Sequence, residues 1–258
     1  MIAATVDTWF MLGRQARNLI RQPVWIAIMI VEPLVWITLY GQLFRRIVEL
    51  PGFGTDSYIQ FLTPGIVVMA AFFTASWSGW ATLTDLDRGV IDRFLATPVS
   101  RASIVLSQVL RSSLIGMAKA LLLLAVALAL GARVSAGLAG WAILLLAAAL
   151  VSSVFSGISH GIALIVRNED TLIAVVSFYA LPLTFVSSTL IAKDLMPSWM
   201  QWAARFNPVN WAVEAARQAM RPDPHWAAVA VWLTLLLAAT AATCTFATWA
   251  FRAYRRTL

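Results

Sequence analysis

The sequence has 258 residues, of which 60% are hydrophobic and 12% are charged, with a formal net charge of +7. An average soluble domain is about 45–50% apolar and about 25% charged, so these values exclude an ordinary soluble protein. The excess of basic residues is typical of segments that flank membrane spans and meet anionic headgroups, and we expect no binding to nucleic acid. The sequence therefore predicts a polytopic integral membrane protein.

The N-terminal stretch, residues 1–22, predicts an amphipathic helix in the membrane interface. Arg14, Arg17 and Arg21 recur at steps of three and four residues, so they share one face of a helix. Apolar side chains occupy the opposite face, which is the pattern of a helix lying in the headgroup region.

Six apolar stretches follow, each long enough to cross a bilayer. They are Pro23–Phe44, Tyr58–Thr82, Ile104–Leu130, Leu138–Val166, Leu172–Ala192 and Trp226–Trp249. The sequence shows no internal repeat and no low-complexity linker between them. We therefore expect one transmembrane domain over residues 1–258, with a six-span bundle over 23–249 and a tail over 250–258. The predicted fold class is an all-α integral membrane protein with six transmembrane helices.

The distribution of basic residues predicts the orientation of the chain. Six spans place both termini on one side, which would have eleven arginines against seven basic residues on the other side, with Lys119 inside the third span. The positive-inside rule assigns the more basic side to the cytoplasm. We therefore expect both termini and the loop around residues 85–101 to be cytoplasmic.

That loop predicts a short amphipathic helix from Asp85 to Pro98. Leu86, Val90 and Phe94 recur at helical spacing, and charged residues occupy the other positions. A solvated connecting loop is the simpler interpretation. Mixed charges around an apolar ridge are also what a docking element for a soluble partner needs.

Four stretches of the chain resemble type-2 ABC exporter permeases, a group that includes daunorubicin-exporter and polysaccharide-export permeases. In chain order they are Glu32-Pro33, Phe61-Leu62-Thr63-Pro64-Gly65-Ile66, the stretch from Asp87 to Arg101, and Phe206-Asn207-Pro208-Val209-Asn210-Trp211. The resemblance covers nearly the whole chain. It implies a pair of permease subunits, identical or sister, with two cytoplasmic ATPase subunits that bind ATP and magnesium. This chain itself is expected to hold no cofactor and no metal.

In that family the charged cytoplasmic helix docks into the ATPase and transmits its closure. The resemblance implies this coupling role for Asp85, Asp87, Arg88, Gly89, Ile91, Asp92, Arg93, Phe94, Leu95, Thr97 and Pro98. The chain has no G-x-x-x-x-G-K-[ST] phosphate loop. We therefore expect it not to be an enzyme by itself, the ATPase being another chain.

Residues 194–221 predict two short amphipathic helices at the outer interface, the second of them capped by an asparagine with proline at its first position. An aromatic interface belt would explain the tryptophans equally well. The resemblance makes the pair a re-entrant extracellular cap. Its candidate residues are Trp199, Trp202, Asn207, Pro208, Trp211 and Glu214.

Ionisable residues inside spans are costly and suggest a function. Glu32 and Lys119 are deep enough to form an ion pair with each other, or to contact substrate directly. The resemblance implies a pathway between two permease copies, with candidate lining residues Glu32, Phe72, Phe73, Trp77 and Phe185. Aromatic lining suits a hydrophobic drug-like or lipid-like substrate.

The string Gly157-Ile158-Ser159-His160-Gly161 matches the G-x-S-x-G pattern of serine hydrolases. It lies inside a long apolar run instead of at a strand–turn–helix junction. We therefore expect Gly157 and Gly161 to permit close contact between helices, as G-x-x-x-G does in lipid.

The sequence thus predicts the permease subunit of an ATP-driven exporter in a bacterial plasma membrane. Three alternatives stay open. A polysaccharide- or glycolipid-exporting ABC permease would share the fold. An ion-coupled secondary transporter would use Glu32 and His160 as proton carriers, and a non-transporting scaffold would leave the charged loop unexplained.

Overall fold

The structure is a computed structural model, and it describes residues 31, 34–35, 37–44, 46, 57–91 and 101–255. The α-helices whose ends both lie among the described residues are α1 (Tyr58–Ser76), α2 (Gly79–Asp87), α3 (Arg101–Ala129), α4 (Gly137–Val166), α5 (Glu169–Phe185), α6 (Ser198–Ala204), α7 (Pro208–Ala219) and α8 (Trp226–Arg255). A short 3-10 helix covers Lys193–Leu195. The described residues form helices and no strands, which confirms the all-α prediction. The predicted interfacial helix over 1–22 lies outside the described residues.

Four helical stretches are long and apolar enough to cross a membrane. They are Tyr58–Asp87, Ala102–Ala129, Gly137–Val166 and Trp226–Tyr254, and they match the second, third, fourth and sixth predicted spans. The first predicted span lies largely outside the described residues, although residues 37–43 are helical. A total of six spans stays a prediction.

The fifth predicted span ends earlier than expected. Helix α5 has 17 residues, so it is about 26 Å long at 1.5 Å per residue, slightly less than a hydrocarbon core of about 30 Å. Its start is capped by Asn168, whose side chain accepts a hydrogen bond from the Thr171 N–H. After Phe185 the chain turns, and the buried hydroxyl residues 187–189 follow. The prediction of a span continuing to Ala192 is therefore wrong.

Helix α4 is the centre of the bundle, because it contacts α1, α2, α3, α5, α7 and α8. The contacts also define two ends. At one, the Gln60 side chain donates to the carbonyl oxygens of Arg133 (2.6 Å) and Met220 (3.2 Å). At the other, the Arg167 guanidinium lies 4.6 Å from the ring centroid of Tyr254. We call these the cap end and the coupling end.

The G-x-x-x-G pair of α4 makes a close contact between helices, as predicted, and the partner helix is α8. A Cβ atom added to Gly157 would lie 3.0 Å from the Thr243 carbonyl carbon, and one added to Gly161 would lie 2.7 Å from a ring carbon of Phe246. Real side chains do not fit at such distances, so both glycines permit the helices to approach.

Replacing Gly157 by valine is expected to lower the thermal unfolding midpoint of the purified protein. The new side chain would meet the backbone of α8, and overpacking of this kind costs about 1–3 kcal/mol. The matched control is Ala142→Val, which adds the same β-branch at an exposed position of α4. Equal midpoints for the two variants would contradict the close contact.

Candidate functional site

The predicted coupling segment is divided by a turn. Helix α2 continues the second span and ends at Asp87, so Asp85 and Asp87 belong to the last turns of that span. Arg88 follows as the C-cap, and Gly89 has a φ of 61°, the left-handed conformation that commonly ends a helix. A single helix from Asp85 to Pro98 is therefore wrong at its start.

Helical backbone begins again at Val90 and Ile91. The remaining coupling candidates lie outside the described residues: Asp92, Arg93, Phe94, Leu95, Thr97 and Pro98. The division separates a charged end of α2 from a second element that starts after Gly89.

Ile91 is 2% exposed and is part of a compact apolar cluster at the coupling end. The cluster joins the start of α3, the end of α4 and the end of α8; its members are Ile91, Ile104, Val105, Val109, Leu164, Ala247, Ala250, Phe251 and Tyr254. We call it the coupling cluster. Arg167, which caps α4 with a φ of 51°, stacks on the Tyr254 ring beside it. The segment after α2 is thus attached to three spans through one buried side chain.

The second span is interrupted at Trp77 and Ser78, and a serine of α4 bridges the interruption. The Ser159 hydroxyl donates to the Ser76 carbonyl oxygen (2.6 Å) and accepts a hydrogen bond from the Gly79 N–H (2.9 Å). One buried side chain therefore satisfies a donor and an acceptor of the broken helix. The break is consequently held in place by α4.

Four further side-chain hydrogen bonds connect α4 to the neighbouring helices in the same region. They are Ser156–Ser112 (2.9 Å), Ser78–Ser156 (3.2 Å), Ser113–Ser153 (2.6 Å) and Thr82–His160 (2.6 Å). His160 and Ser159 therefore bind partners on the second span and not each other. This arrangement agrees with the helix-packing interpretation of the G-x-S-x-G string and not with a nucleophile elbow.

Replacing Ser159 by alanine is expected to destabilise the protein by about 1–3 kcal/mol, the cost of leaving buried polar groups unpaired. The Gly79 N–H and the Ser76 carbonyl would both lose their partner. The measurement is the thermal unfolding midpoint, compared with Ser135→Ala at an exposed loop position. A midpoint no lower than that of the control would show that the break does not need Ser159.

Lys119 binds the second span through a hydroxyl. Its Nζ donates to Thr74 Oγ1 at 2.6 Å, across the α3–α1 contact. The predicted partner Glu32 lies outside the described residues, so the ion pair between the two stays a prediction.

The predicted lining residues have different environments. Phe72 is fully buried, and its ring packs edge-on against Phe155 of α4 with centroids 4.4 Å apart, so it belongs to the interior of the subunit. Phe73 is partly buried beside it. Trp77 is exposed at the break, and Phe185 is 61% exposed at the end of α5. Only the last two present an open aromatic surface.

The cap end contains a folded-back segment of residues 186–220, which we call the cap segment. Asn207 accepts a hydrogen bond from the Val209 N–H and Pro208 is the first residue of α7, as predicted. The Asn207 amide also donates to the carbonyl oxygens of Leu183 (2.6 Å) and Val186 (2.7 Å). One residue therefore caps α7 and holds the end of α5.

A charged cluster fixes α7 to the turn after α5. Arg217 and Glu214 form an ion pair at 3.3 Å. Ser188 bridges them, because its hydroxyl donates to Glu214 (2.5 Å) while its carbonyl accepts from Arg217 (2.5 Å). Burial lowers the pKa of Arg217, and the Glu214 carboxylate opposes that shift. The guanidinium stays charged and also lies 4.1 Å from the centroid of Phe61.

The cap segment packs directly on the start of the second span. A Cβ atom on Gly65 would lie 3.1 Å from the Thr189 Cα, so only glycine permits this approach of two backbones. Phe61 and Gly65 both belong to the Phe61–Ile66 motif. The motif is thus the surface on which the cap segment is seated.

The aromatic residues of the cap segment differ in role. Trp199 and Trp202 are 62% and 63% exposed, which suits an interface belt. Trp211 is partly buried, and its indole N–H donates to the Arg205 carbonyl oxygen at 2.7 Å. The sequence analysis did not identify Ser188, and it named Ser159 without its role at the break in the second span. Each of these serines binds a partner more than 20 residues away; serines inside apolar runs were the available signal.

These features define a class: a multi-pass helical membrane protein with a specialised element at each end of its bundle. The chain belongs to the ABC-2 type transporter family, whose model matches residues 6–221. It is therefore an ABC transporter permease subunit, and membership implies partnering with ABC ATPase subunits.

Individual relatives agree with this assignment. The chain is 30% identical over 201 residues to a putative transport permease ycf38 of Cyanophora paradoxa, covering 76% of this chain and 68% of the relative. It is 29% identical to the Porphyra purpurea protein of the same name over the same shares. It is 28% identical over 207 residues to the daunorubicin resistance ABC transporter permease protein DrrB1 of Streptomyces coeruleorubidus, covering 77% and 69%.

Proposed function

We propose that the chain moves a hydrophobic drug-like or lipid-like substrate outward across a bacterial plasma membrane. It acts as one of two permease subunits, driven by two cytoplasmic ATPase subunits that bind ATP and magnesium, with both of its own termini cytoplasmic. Family membership supports the use of ATP. The name of the Streptomyces coeruleorubidus relative, which refers to daunorubicin resistance, supports a hydrophobic substrate and outward transport.

The observation that supports this proposal most directly is the attachment of Ile91 to the coupling cluster. Arg88 and Asp87 are exposed at the end of α2, where a soluble partner can reach them, and Ile91 is buried three residues later. Because well-packed side chains transmit displacement, movement of a docked ATPase would reach α3, α4 and α8 together. A simple solvated loop would have no need of this anchor.

The exposed face of α5 supports a hydrophobic substrate. Phe178, Leu181 and Phe185 recur at helical spacing and are all exposed. Between two copies of the chain, such a stripe would form an apolar wall of the pathway, and the cap segment would close it at the outer side. Phe72 is not part of this wall, because it is buried within the subunit.

The test is transport by inverted vesicles that contain the chain together with a candidate ATPase subunit. We expect uptake of daunorubicin or a fluorescent phospholipid that requires both ATP and the ATPase, and that stops with a hydrolysis-deficient ATPase. Reversing the charges of Asp92 and Arg93 is expected to lower transport-coupled ATP hydrolysis while the protein stays folded. Uptake driven by a proton gradient without any ATPase would instead support an ion-coupled secondary transporter.

A further inference from the structure

A groove runs along the outside of the bundle between the beginning of α3 and the end of α8. Its volume is about 390 Å³, within the range of about 300–1,000 Å³ that is typical of ligand sites. It is lined by Ala102, Val105, Leu106, Cys244, Thr245, Thr248, Trp249 and Arg252. Helix α8 is the least buried of the candidate spans, so the groove opens towards the surroundings of the bundle and not into its interior.

The walls of the groove are apolar in effect. Ala102, Val105 and Leu106 line the α3 side. On the α8 side, the Thr248 hydroxyl donates to the Cys244 carbonyl oxygen (2.8 Å), and the hydroxyl of Thr245 likewise binds a carbonyl of its own helix. Both hydroxyls already have hydrogen-bond partners, so an apolar ligand can cover these walls without burying an unpaired hydroxyl.

One end of the groove is polar and positively charged. Trp249 and Arg252 are three residues apart and share a face of α8, and both are exposed. Neither the Arg252 guanidinium nor the Trp249 indole N–H has a hydrogen-bond or ion-pair partner among the described residues. Two unpaired donors, one of them charged, are what a phosphodiester needs for recognition.

The polar end coincides with the end of a span. Arg252 lies two residues before Tyr254, where the apolar span finishes, and Cys244 lies eight residues deeper. Along a helix that separation is about 12 Å, so the groove extends from the headgroup level into the hydrocarbon region. The charged end of the groove therefore lies at the headgroup level and its apolar part lies deeper, which is the arrangement of the headgroup and acyl chains of a phospholipid.

We propose that this groove binds an anionic phospholipid of the leaflet at the coupling end. Arg252 and Trp249 hold the phosphate, and an acyl chain lies between Leu106 and Cys244. The ligand borders the coupling cluster, because Val105 belongs both to the groove and to that cluster. The site does not depend on the direction of transport or on the identity of the substrate.

Native mass spectrometry of the full chain, purified from mixed phosphatidylglycerol and phosphatidylcholine, tests the proposal. We expect one phosphatidylglycerol retained per chain, with a preference of about fivefold over phosphatidylcholine, which corresponds to about 1 kcal/mol for one arginine near an anionic surface. Arg252→Gln is expected to abolish the preference, and Arg252→Lys to keep most of it. Arg205→Gln, at an exposed arginine of the cap end, should leave it unchanged.

The single cysteine of the chain, Cys244, lines the groove and can be alkylated to test where the lipid binds. Alkylation with a bulky maleimide is expected to displace the phosphatidylglycerol, whereas the same treatment of Cys244→Ser should not. Retention of the lipid after complete alkylation would overturn the assignment to this groove. An unchanged preference in Arg252→Gln would overturn it as well. Loss of the lipid whenever two copies associate would also overturn it, because that result would show that another copy occupies the groove.

Discussion

Substitution of Ile91 by alanine is expected to uncouple ATP hydrolysis from transport. Ile91 is the buried attachment of the coupling segment, with 2% exposure in the coupling cluster. Removing its side chain leaves a cavity, which costs about 2–5 kcal/mol, at the point where the segment meets α3, α4 and α8. Movement of the ATPase would then displace the segment within the cavity and would no longer move α3, α4 and α8. The measurement is the amount of substrate transported per ATP hydrolysed in vesicles, and we expect a fall of tenfold or more.

A destabilised protein must be distinguished from an uncoupled one. Leu236→Ala truncates a fully buried side chain of α8 in the main core, away from the coupling cluster. We expect it to lower the thermal unfolding midpoint comparably and yet keep the transport-to-hydrolysis ratio. If both variants lose the ratio equally, or if Ile91→Ala keeps it, the coupling cluster does not transmit the motion.

The long apolar runs of the sequence predicted the four helical stretches that are long and apolar enough to cross a membrane, because such runs have few alternatives to a membrane helix. It failed where side-chain partners determine the end of a helix. The fifth span stops at Phe185, where Asn207 donates to the carbonyl oxygens of Leu183 and Val186 and Asn210 accepts from the Ser188 N–H. Both asparagines lie more than 20 residues away from the groups they bind. The break at Trp77 is likewise maintained by Ser159 of another helix.

The candidate site could be predicted where the signal is local. The Asn207-Pro208 helix start follows from capping chemistry alone, and the structure confirms it. The turn at Gly89 is equally local, but the charge pattern from Asp85 onwards concealed it, because amphipathic spacing continues across the turn. The burial of Phe72 depends on Phe155, which lies in a different span, and no local pattern distinguishes such a residue from one that lines a pathway.

Substitution of Arg217 by alanine is expected to release the cap segment from the bundle. Arg217 binds the Glu214 carboxylate, the Ser188 carbonyl and the Phe61 ring at once. Its loss leaves Glu214, which is only 21% exposed, without its counter-charge. Hydrogen bonds to charged groups and a cation–π contact together suggest a cost of about 2–4 kcal/mol. We expect a lower thermal unfolding midpoint and faster ATP-independent leakage of substrate from loaded vesicles.

Two further variants separate the ion pair from a general effect of removing positive charge. Arg221→Ala changes an exposed arginine one turn further along the chain and should affect neither stability nor leakage. The double substitution Arg217→Ala with Glu214→Ala removes the orphaned carboxylate, so it should recover part of the lost stability. Leakage should nevertheless stay high in the double variant, because the contacts with Ser188 and Phe61 are still absent. An Arg217→Ala protein as stable and as tight as Arg221→Ala would mean that the cap segment is held by its apolar contacts alone.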